Sequence, residues 1–452
     1  MWLLAHGIVG RADLPIPVAL FGAAAAAVLV VSFLALAAGW SSPRLERPRE
    51  LPLARIPRPV EALLGLVGVA VFVAVVYAGL AGTDIQRDNL APTAVYVGFW
   101  VGVPFATLLL GDVFRLLSPW RAIGRAVGWT AARAGSGALP EPLPYPERLG
   151  HWPAAAGIFA FAICELCWAA GRDPAPLAVL MLVYLVVQLV GMSLYGVEAW
   201  TRRGDAFGVW FGLLARLAPL GRRADGRLVL RAPVASAAGL VALAGTTALL
   251  LVGIGSTAFD GAKEGPLLNG LMTDLQGVFG DAGASLGLGL ELAFVAGLGL
   301  AVAAVAALWW LGVAGMPRAG LRLSRRALGR RFVHTLIPIA AAYLVAHYFS
   351  LLAYSGQDLW RLASDPLGDG SDLFGGAAAG IDYSVVSATA IWYVQMGALV
   401  LGHVAALVLA HDRALAVYGS PRAAARSQVV MLVVMVCFTL LGLWLLSAAL
   451  DL

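Results

Sequence analysis

Charged residues are scarce in this chain: they make up 13% of its 452 residues, about half of their share in an average soluble domain. Hydrophobic residues account for 60%, and the mean hydropathy is +0.84. This balance excludes a water-soluble enzyme, because so few polar residues cannot cover the surface of a folded chain of this length. The net charge of only +5 and the high apolar content also exclude a disordered chain and a nucleic-acid-binding protein.

Cysteine is scarce as well, with residues only at positions 164, 167 and 437. Three cysteines cannot form the disulfide framework of a small secreted protein. Glycine is abundant instead, with 53 residues, and alanine is frequent. Small residues of this kind let helices approach one another closely in lipid. The composition therefore indicates a membrane protein built from closely packed helices.

Apolar runs long enough to cross a bilayer recur along the whole chain. A spanning helix needs about 20 mostly apolar residues. Ten such runs, bounded by clusters of Arg, Pro, Asp or Gly, occupy residues 17–40, 60–82, 93–117, 152–170, 176–200, 232–256, 286–314, 332–354, 384–411 and 427–450. The sequence predicts an all-α polytopic transmembrane helix bundle, in which residues 1–452 form a single integral membrane domain.

The basic residues alternate between the loops that join these spans. Every second loop is arginine-rich, and together these loops hold 26 of the 31 Lys and Arg residues. Short loops rich in Arg and Lys stay in the cytoplasm, so both termini are predicted to be extracytoplasmic. Residues 204–220 are apolar but short and follow Arg202 and Arg203, which favours an interfacial or re-entrant cytoplasmic helix. An eleventh span there would break the alternation.

Ionisable side chains inside a spanning helix are costly, so each is a candidate for function. The rise along the predicted helices places Glu165 and His347 in the outer third of the bilayer and Glu291 at a comparable depth. His6 lies in the outer N-terminal segment and Asp260 in an outer loop. Imidazole and carboxylate groups suit zinc or another first-row divalent ion. We predict that His6, Glu165 and His347 ligate such an ion, while Glu291 or Asp260 orients a water molecule.

Two observations leave alternatives to this metal site. The chain has no compact spacing such as HxH or HExxH, so the prediction depends on depth alone. Glu165 has an alternative role as the partner of Arg172 or Arg87.

A haem group is less favoured than a divalent ion. A bis-His haem needs two imidazoles at one depth on different helices. No histidine on another span lies at the predicted level of His347, and His334 with His403 or His411 would place a haem close to the cytoplasmic surface.

Further polar residues within the predicted lipid zone or at its edges are Tyr343, Gln395, His403, Asp112 and Glu198. Tyr343 shares a helix face with His347, while Gln395 and His403 share a face of the next span. A polar stripe must face the bundle, where it forms hydrogen bonds between helices or lines a path. Asp112 and Glu198 lie at cytoplasmic helix ends, which suits ion pairs with arginine or a gate for protons.

Seven segments are distinctive as an ensemble: AHGIVGRADLPIPVALFG (5–22), GDVFRLLSPWRAI (111–123), PERLGHWPAAAGIFAFAICEL (146–166), GDAFGVWFGLLARLAP (204–219), GSTAFDG (255–261), HTLIPIAAAYLVAHYFSLL (334–352) and WYVQMGALVLGHVAALVLAHDRAL (392–415). Together they resemble a bacterial family of polytopic membrane proteins labelled fenitrothion hydrolases. The resemblance covers nearly the whole chain and implies phosphotriester hydrolysis in a bacterial cytoplasmic membrane. It includes His6, Asp13, Glu165, the Phe259-Asp260-Gly261 turn, His347 and His403.

Three functions remain open from the sequence. The first is metal-assisted hydrolysis of a lipophilic phosphoester that enters from the bilayer, as the resemblance implies. The second is a transporter or permease in which Asp112, Glu198, Gln395 and His403 line a path. The third is a haem- or quinone-linked redox subunit that uses the histidines of the eighth and ninth spans.

Overall fold

Helices make up nearly all of the regular structure. The computed structural model describes residues 18–45, 50–134, 141–223, 225–263, 265–317 and 323–448. Within these ranges the α-helices are α1 (Val18–Gly39), α2 (Arg58–Ala81), α3 (Leu90–Thr93), α4 (Val103–Leu110), α5 (Phe114–Leu117), α6 (Pro119–Arg133), α7 (Trp152–Leu166), α8 (Pro174–Tyr195), α9 (Val197–Arg203), α10 (Ala206–Leu214), α11 (Ala235–Ala238), α12 (Thr246–Ala262), α13 (Pro266–Asp281), α14 (Leu286–Ala314), α15 (Arg325–Phe332), α16 (Leu336–Ser355), α17 (Asp358–Ser364), α18 (Ala388–Tyr418), α19 (Pro421–Ser427) and α20 (Val429–Ala448). A π-helix (Ala94–Gly102) joins α3 to α4, and short 3-10 turns occur at Gln86–Asp88, Ala169–Arg172, Ala215–Leu217 and Val333–Thr335.

Seven helical stretches of the described chain are long and apolar enough to cross a membrane: Gly22–Gly39, Arg58–Ala81, Leu90–Leu110, Pro174–Tyr195, Leu286–Ala314, Arg325–Ser355 and Ala388–Tyr418. The pair Pro421–Ser427 and Val429–Leu443, bent by 42°, makes an eighth if it is counted as one span. These helices confirm the prediction of an all-α polytopic membrane bundle. The spans predicted at 152–170 and 232–256 correspond to the shorter helices α7 and α12, so the count of ten and the sides of the termini stay predictions.

Two predicted spans have different bounds in the structure. The helix predicted to start at 232 starts only at Thr246, because the chain before it forms α11 and an irregular turn that ends at Gly245. The span predicted to run to 117 is interrupted at Gly111, whose φ is +81°. A Cβ on Gly111 would lie 2.6 Å from the carbonyl oxygen of Leu220, so both the conformation and the close contact require glycine.

The segment predicted as an interfacial helix at 204–220 lies inside the bundle. Trp210, Phe211 and Leu214 of α10 are each at most 2% exposed. Gly253 of α12 lies directly against the Trp210 ring, where a Cβ would come within 2.2 Å of a ring carbon. A helix that is apolar on all sides is buried on all sides, which is why α10 does not lie on the bundle surface. Where this helix lies relative to the membrane stays a prediction.

A small antiparallel sheet was not predicted. Strands β1 (Glu50–Arg55), β2 (Leu220–Arg222) and β3 (Arg227–Arg231) pair in the order β1-β3-β2, with Val229 opposite both Pro52 and Gly221. Glu61 of α2 accepts hydrogen bonds from Arg222 and, at 3.3 Å, from Arg125. The sheet is thereby joined to the helices at the end of the bundle where arginines are concentrated.

Helices α7 and α12 run side by side in the same direction. They begin together, because Nδ1 of His151 lies 3.0 Å from the Thr246 hydroxyl and the His151 amide donates to the Ala244 carbonyl at 2.6 Å. Helix α16 packs against α12 on one side and α18 on the other. These three neighbouring helices, α7, α12 and α16, carry the candidate site.

Candidate functional site

Glu165 and Asp260 come to the same level because α7 and α12 start together. Each lies fourteen residues beyond its member of the His151–Thr246 contact, which corresponds to about 21 Å of helix rise. Asp260 belongs to α12 rather than to a loop, because the helix continues to Ala262. Both carboxyl groups are therefore far from the arginine-rich end of the bundle.

Asp260 is the centre of a buried polar cluster. Its Oδ2 lies 2.8 Å from Nε2 of His347 and accepts a hydrogen bond from the Tyr348 hydroxyl at 3.0 Å. Its Oδ1 lies 2.8 Å from the ammonium nitrogen of Lys263. The side chains of Asp260 and Lys263 are 1% and 11% exposed, so this ion pair is largely removed from water. We refer to Asp260, Lys263, His347 and Tyr348 as the Asp260 cluster.

The contacts of Asp260 determine the tautomer of His347. An ionised carboxylate only accepts hydrogen bonds, so the contact with Asp260 Oδ2 assigns a proton to Nε2 of His347. The Nδ1 edge of the ring faces Gly261, where a Cβ would lie 3.4 Å from Nδ1. The His347 side chain is 21% exposed. Among the described residues, no hydrogen-bond partner is found for Nδ1, which faces a position that lacks a side chain.

Glu165 adjoins this cluster without a direct contact to His347 among the described interactions. It is half-buried at the end of α7 and interacts electrostatically with Asp260, Arg172 and Lys263. The alternative of pairing with Arg172 is therefore consistent with its position. The structure brings Glu165 and His347 to one region, as their depth predicted, but the residue that contacts His347 is Asp260.

Glu291 has a different contact. Its Oε1 accepts a hydrogen bond from the backbone amide of Ala169 at 3.0 Å, at the start of the short turn after α7. That turn is also fixed by the Tyr96 hydroxyl, which donates to the Gly171 carbonyl at 2.6 Å. Glu291 therefore holds the chain next to Glu165, and its carboxylate is occupied by a backbone group.

The other intramembrane candidates lie away from the Asp260 cluster. Tyr343 donates to the Phe438 carbonyl at 2.9 Å and its ring contacts that of His403, with centroids 6.4 Å apart. Nδ1 of His403 lies 2.7 Å from the Leu399 carbonyl of its own helix. Gln395 is half-buried on the same helix, α18. Tyr343 therefore forms a hydrogen bond between two helices, and the contact of His403 lies within its own helix.

Two further histidines of the haem alternative are enclosed by protein groups. His334 is 1% exposed. His411 has both ring nitrogens in contacts, with the Trp40 carbonyl at 3.0 Å and with the Gln428 amide at 3.1 Å. The described contacts of these two histidines are with protein alone, and the haem alternative stays a prediction.

Glu198 lies at the arginine-rich end. Its carboxylate is 2.7 Å from Arg115, 2.6 Å from Arg121 and 3.8 Å from Arg202, and it is 45% exposed. We refer to Glu198 and these three arginines as the Glu198 cluster. Asp112 accepts the backbone amide of Arg115 at 3.2 Å. Glu198 therefore forms ion pairs with arginines, which is one of the two roles predicted for it.

A divalent ion would need ligands that the described residues do not supply together. Within the described ranges, no three His, Cys, Asp or Glu side chains are grouped closely enough to hold a metal ion. The oxygens of Asp260 contact His347, Tyr348 and the Lys263 ammonium. Glu165 and His347 belong to no group of three such ligands among the described residues. His6 lies outside the described residues, so the predicted set of three stays a prediction.

Sequence reasoning missed Lys263 and Tyr348. Lys263 is the only lysine among the 31 basic residues of the chain, and it follows Asp260 by three positions. The presence of a single lysine, one helical turn after an aspartate, could have indicated this pair from the sequence. Tyr348 follows His347 directly and carried no comparable signal.

The chain was compared with protein-family models, curated proteins and solved structures, and none of them matches.

Proposed function

We propose that this protein is a bacterial cytoplasmic-membrane hydrolase of lipophilic esters, in particular phosphotriesters, with His347 as its general base. The observation that carries the proposal is the 2.8 Å contact between Asp260 Oδ2 and His347 Nε2, which leaves Nδ1 available inside a membrane bundle. A carboxylate paired with histidine orients the ring and stabilises the imidazolium that forms during proton transfer. The resemblance to fenitrothion hydrolases supports the same reaction class.

In the proposed reaction, Nδ1 of His347 takes a proton from a water molecule at the Gly261 side of the ring. The water oxygen forms a bond to phosphorus, and the bond from phosphorus to the leaving oxygen breaks. The imidazolium of His347 then gives this proton to the leaving oxygen, so that an alcohol or phenol departs and a phosphodiester remains. Oδ2 of Asp260 accepts the hydrogen bond from Nε2 throughout, and the Lys263 ammonium beside Oδ1 stabilises the carboxylate charge.

The proposed orientation places the Asp260 cluster on the outer side of the membrane. The arginine-rich loops hold most of the basic residues, and such loops face the cytoplasm. A lipophilic substrate would reach the cluster from the bilayer or from the outer surface.

The test is turnover of a paraoxon-type triester by purified protein in nanodiscs. His347→Gln removes the base and is expected to lower kcat by about 10²- to 10⁴-fold. Gly261→Ala places a methyl group against the Nδ1 edge and is expected to lower kcat strongly without removing any polar group. The matched control is Arg133→Gln, at an exposed position of α6, which should turn over like wild type. Wild-type turnover by His347→Gln would exclude His347 as the base.

A proton-coupled transporter is the second candidate, because Glu165 interacts electrostatically with both members of the buried Asp260–Lys263 pair. Ionisable groups that share charge inside a membrane bundle are typical of proton paths. Proton uptake by proteoliposomes, measured with a trapped pH-sensitive dye, separates the two functions. Transport predicts a proton flux that Glu165→Gln abolishes, together with no ester turnover. Hydrolysis predicts ester turnover and no proton flux.

A further inference from the structure

A cavity of about 310 Å³ lies at the arginine-rich end, far from the Asp260 cluster. His151 lines the cavity, and the guanidinium groups in its wall belong to Arg115, Arg121, Arg202, Arg203 and Arg216. This volume is about ten times the volume that one water molecule occupies in liquid water. It equals the smallest volumes typical of small-molecule binding sites. The cavity therefore has room for a group the size of a phosphorylated headgroup.

The arginines of this cavity are not fully neutralised. Glu198 is shared by three of them, so one carboxylate serves three guanidinium groups. Arg203 packs over the Tyr145 ring at 5.4 Å, and Arg216 donates to the Ser236 carbonyl at 3.1 Å. Within the described part of the chain, neither Arg203 nor Arg216 has a carboxylate at ion-pair distance.

Among the described residues, two acidic side chains line the cavity, Asp112 and Asp205. Asp205 is 1% exposed, and its two oxygens accept hydrogen bonds from Trp120 at 2.7 Å and Tyr184 at 2.8 Å. Burial raises the pKa of Asp205 to about 6, which makes it an incomplete counter-charge near neutral pH. With Glu198 included, five guanidinium groups face three carboxyl groups, so the wall keeps an excess of positive charge.

The floor of the cavity provides the space for a ligand. Gly212 of α10 lines it, and a Cβ at this position would have no heavy atom within 4 Å. On the rim, Val241 is 79% exposed. A charged wall, an open floor and an apolar rim together suit an anionic head that carries, or lies beside, an apolar chain.

We propose that this cavity binds a phosphoryl group, presented either by an anionic lipid headgroup or by free phosphate. Guanidinium groups bind phosphate oxygens through paired, charge-assisted hydrogen bonds. Basic pockets between membrane helices bind anionic headgroups in the same way. The proposal is independent of the reaction at His347, because it involves other residues at the other end of the bundle.

The experiment measures thermal unfolding at pH 7 with two probes. Potassium phosphate is compared with potassium chloride of equal ionic strength in detergent, and phosphatidylcholine nanodiscs are compared with and without phosphatidic acid. A ligand that binds only the folded protein raises its Tm, and we expect a rise of about 2 °C or more. A rise with phosphate alone identifies the free anion as the source, and a rise with phosphatidic acid alone identifies the lipid.

Three variants connect the shift to the cavity. Gly212→Leu fills the floor without removing a charge and should abolish the rise. Arg216→Gln removes one guanidinium group and should weaken the apparent affinity about tenfold or more, which also tests the proposal if the leucine variant does not fold. Arg133→Gln, outside the cavity, should keep the full rise. No rise with either probe, or an unchanged rise in both cavity variants, would overturn the proposal.

Discussion

The Asp260 cluster and the Glu198 cluster use the same chemistry at opposite ends of the bundle, yet they differ in burial. Asp260 has one ammonium, one imidazole and one hydroxyl as partners and is 1% exposed, whereas Glu198 has three guanidinium groups and is 45% exposed. A buried carboxylate needs each of its partners, because water cannot replace them. An exposed carboxylate shares its partners with water and leaves arginines available to a ligand. Burial therefore separates a site suited to proton transfer from a site suited to anion binding.

The largest expected difference between the clusters concerns loss of the carboxylate charge. Asp260→Asn leaves the Lys263 ammonium buried without its counter-charge and should lower the free energy of unfolding by about 3–5 kcal/mol. Glu198→Gln should cost less, about 1 kcal/mol, because the carboxylate is 45% exposed and its partner Arg202 is 58% exposed. Thermal and denaturant unfolding in detergent measures both.

A double variant is the control for this prediction. Adding Lys263→Met to Asp260→Asn removes the unpaired charge and should recover a large part of the lost stability. Equal costs for Asp260→Asn and Glu198→Gln would contradict the role that we assign to burial.

A smaller effect is expected from pH at the arginine-rich end. Burial, together with the charges of Arg203 and Arg216, lowers the pKa of His151 to about 4. The folded state then holds this histidine neutral, so its stabilisation is complete above the ordinary pKa of about 6.5 and is lost as the pH falls towards 4. Between pH 7 and pH 5 the loss attributable to His151 should be about 2 kcal/mol.

This pH prediction is measured as a difference between wild type and His151→Gln. The comparison is needed because Asp205, whose pKa is raised to about 6, gains stability in the same interval as the pH falls. Parallel stability curves for the two proteins between pH 7 and pH 5 would show that His151 does not titrate as described.

The smallest expected effect is that of salt. Raising sodium chloride from 0.1 to 1 M shortens the Debye length from about 10 Å to about 3 Å. The cost of Glu198→Gln should fall to a few tenths of a kcal/mol, while the cost of Asp260→Asn should stay unchanged because its partners are shielded from ions. If both costs fell alike in unfolding experiments at the two salt concentrations, the Asp260 cluster would be accessible to solvent.

The membrane bundle was predictable because apolar runs identify spanning helices one at a time. Helix ends were less predictable, as the displaced start of α12 at Thr246 and the break at Gly111 show. Both depend on contacts with residues far along the chain, such as the Leu220 carbonyl against Gly111. The burial of α10 was missed for a related reason, since a short apolar helix suits a membrane surface and a bundle interior equally well.

Some neighbours in the candidate site were predictable from the sequence, but their contacts were not. Counting helix rise placed Glu165 and His347 near one level, and the structure brings them to one region. Which carboxylate meets His347 depends on the rotation of each helix about its axis, which rise alone does not specify. Asp260 was expected in a loop because the predicted span ended at residue 256, whereas α12 continues to Ala262, and Lys263 was not among the candidate residues.

The amino-acid sequence alone determined the class of protein, the positions of most helices and which loops are rich in arginine. Each of these depends on composition within one short segment. Only the tertiary structure decided that His347 is bound to Asp260, that Lys263 neutralises this carboxylate, and that five arginines enclose a cavity. These contacts join residues from different helices, and hydrogen bonds require their atoms to lie within a few tenths of an ångström of an ideal distance. Such alignment arises only when the helices pack together.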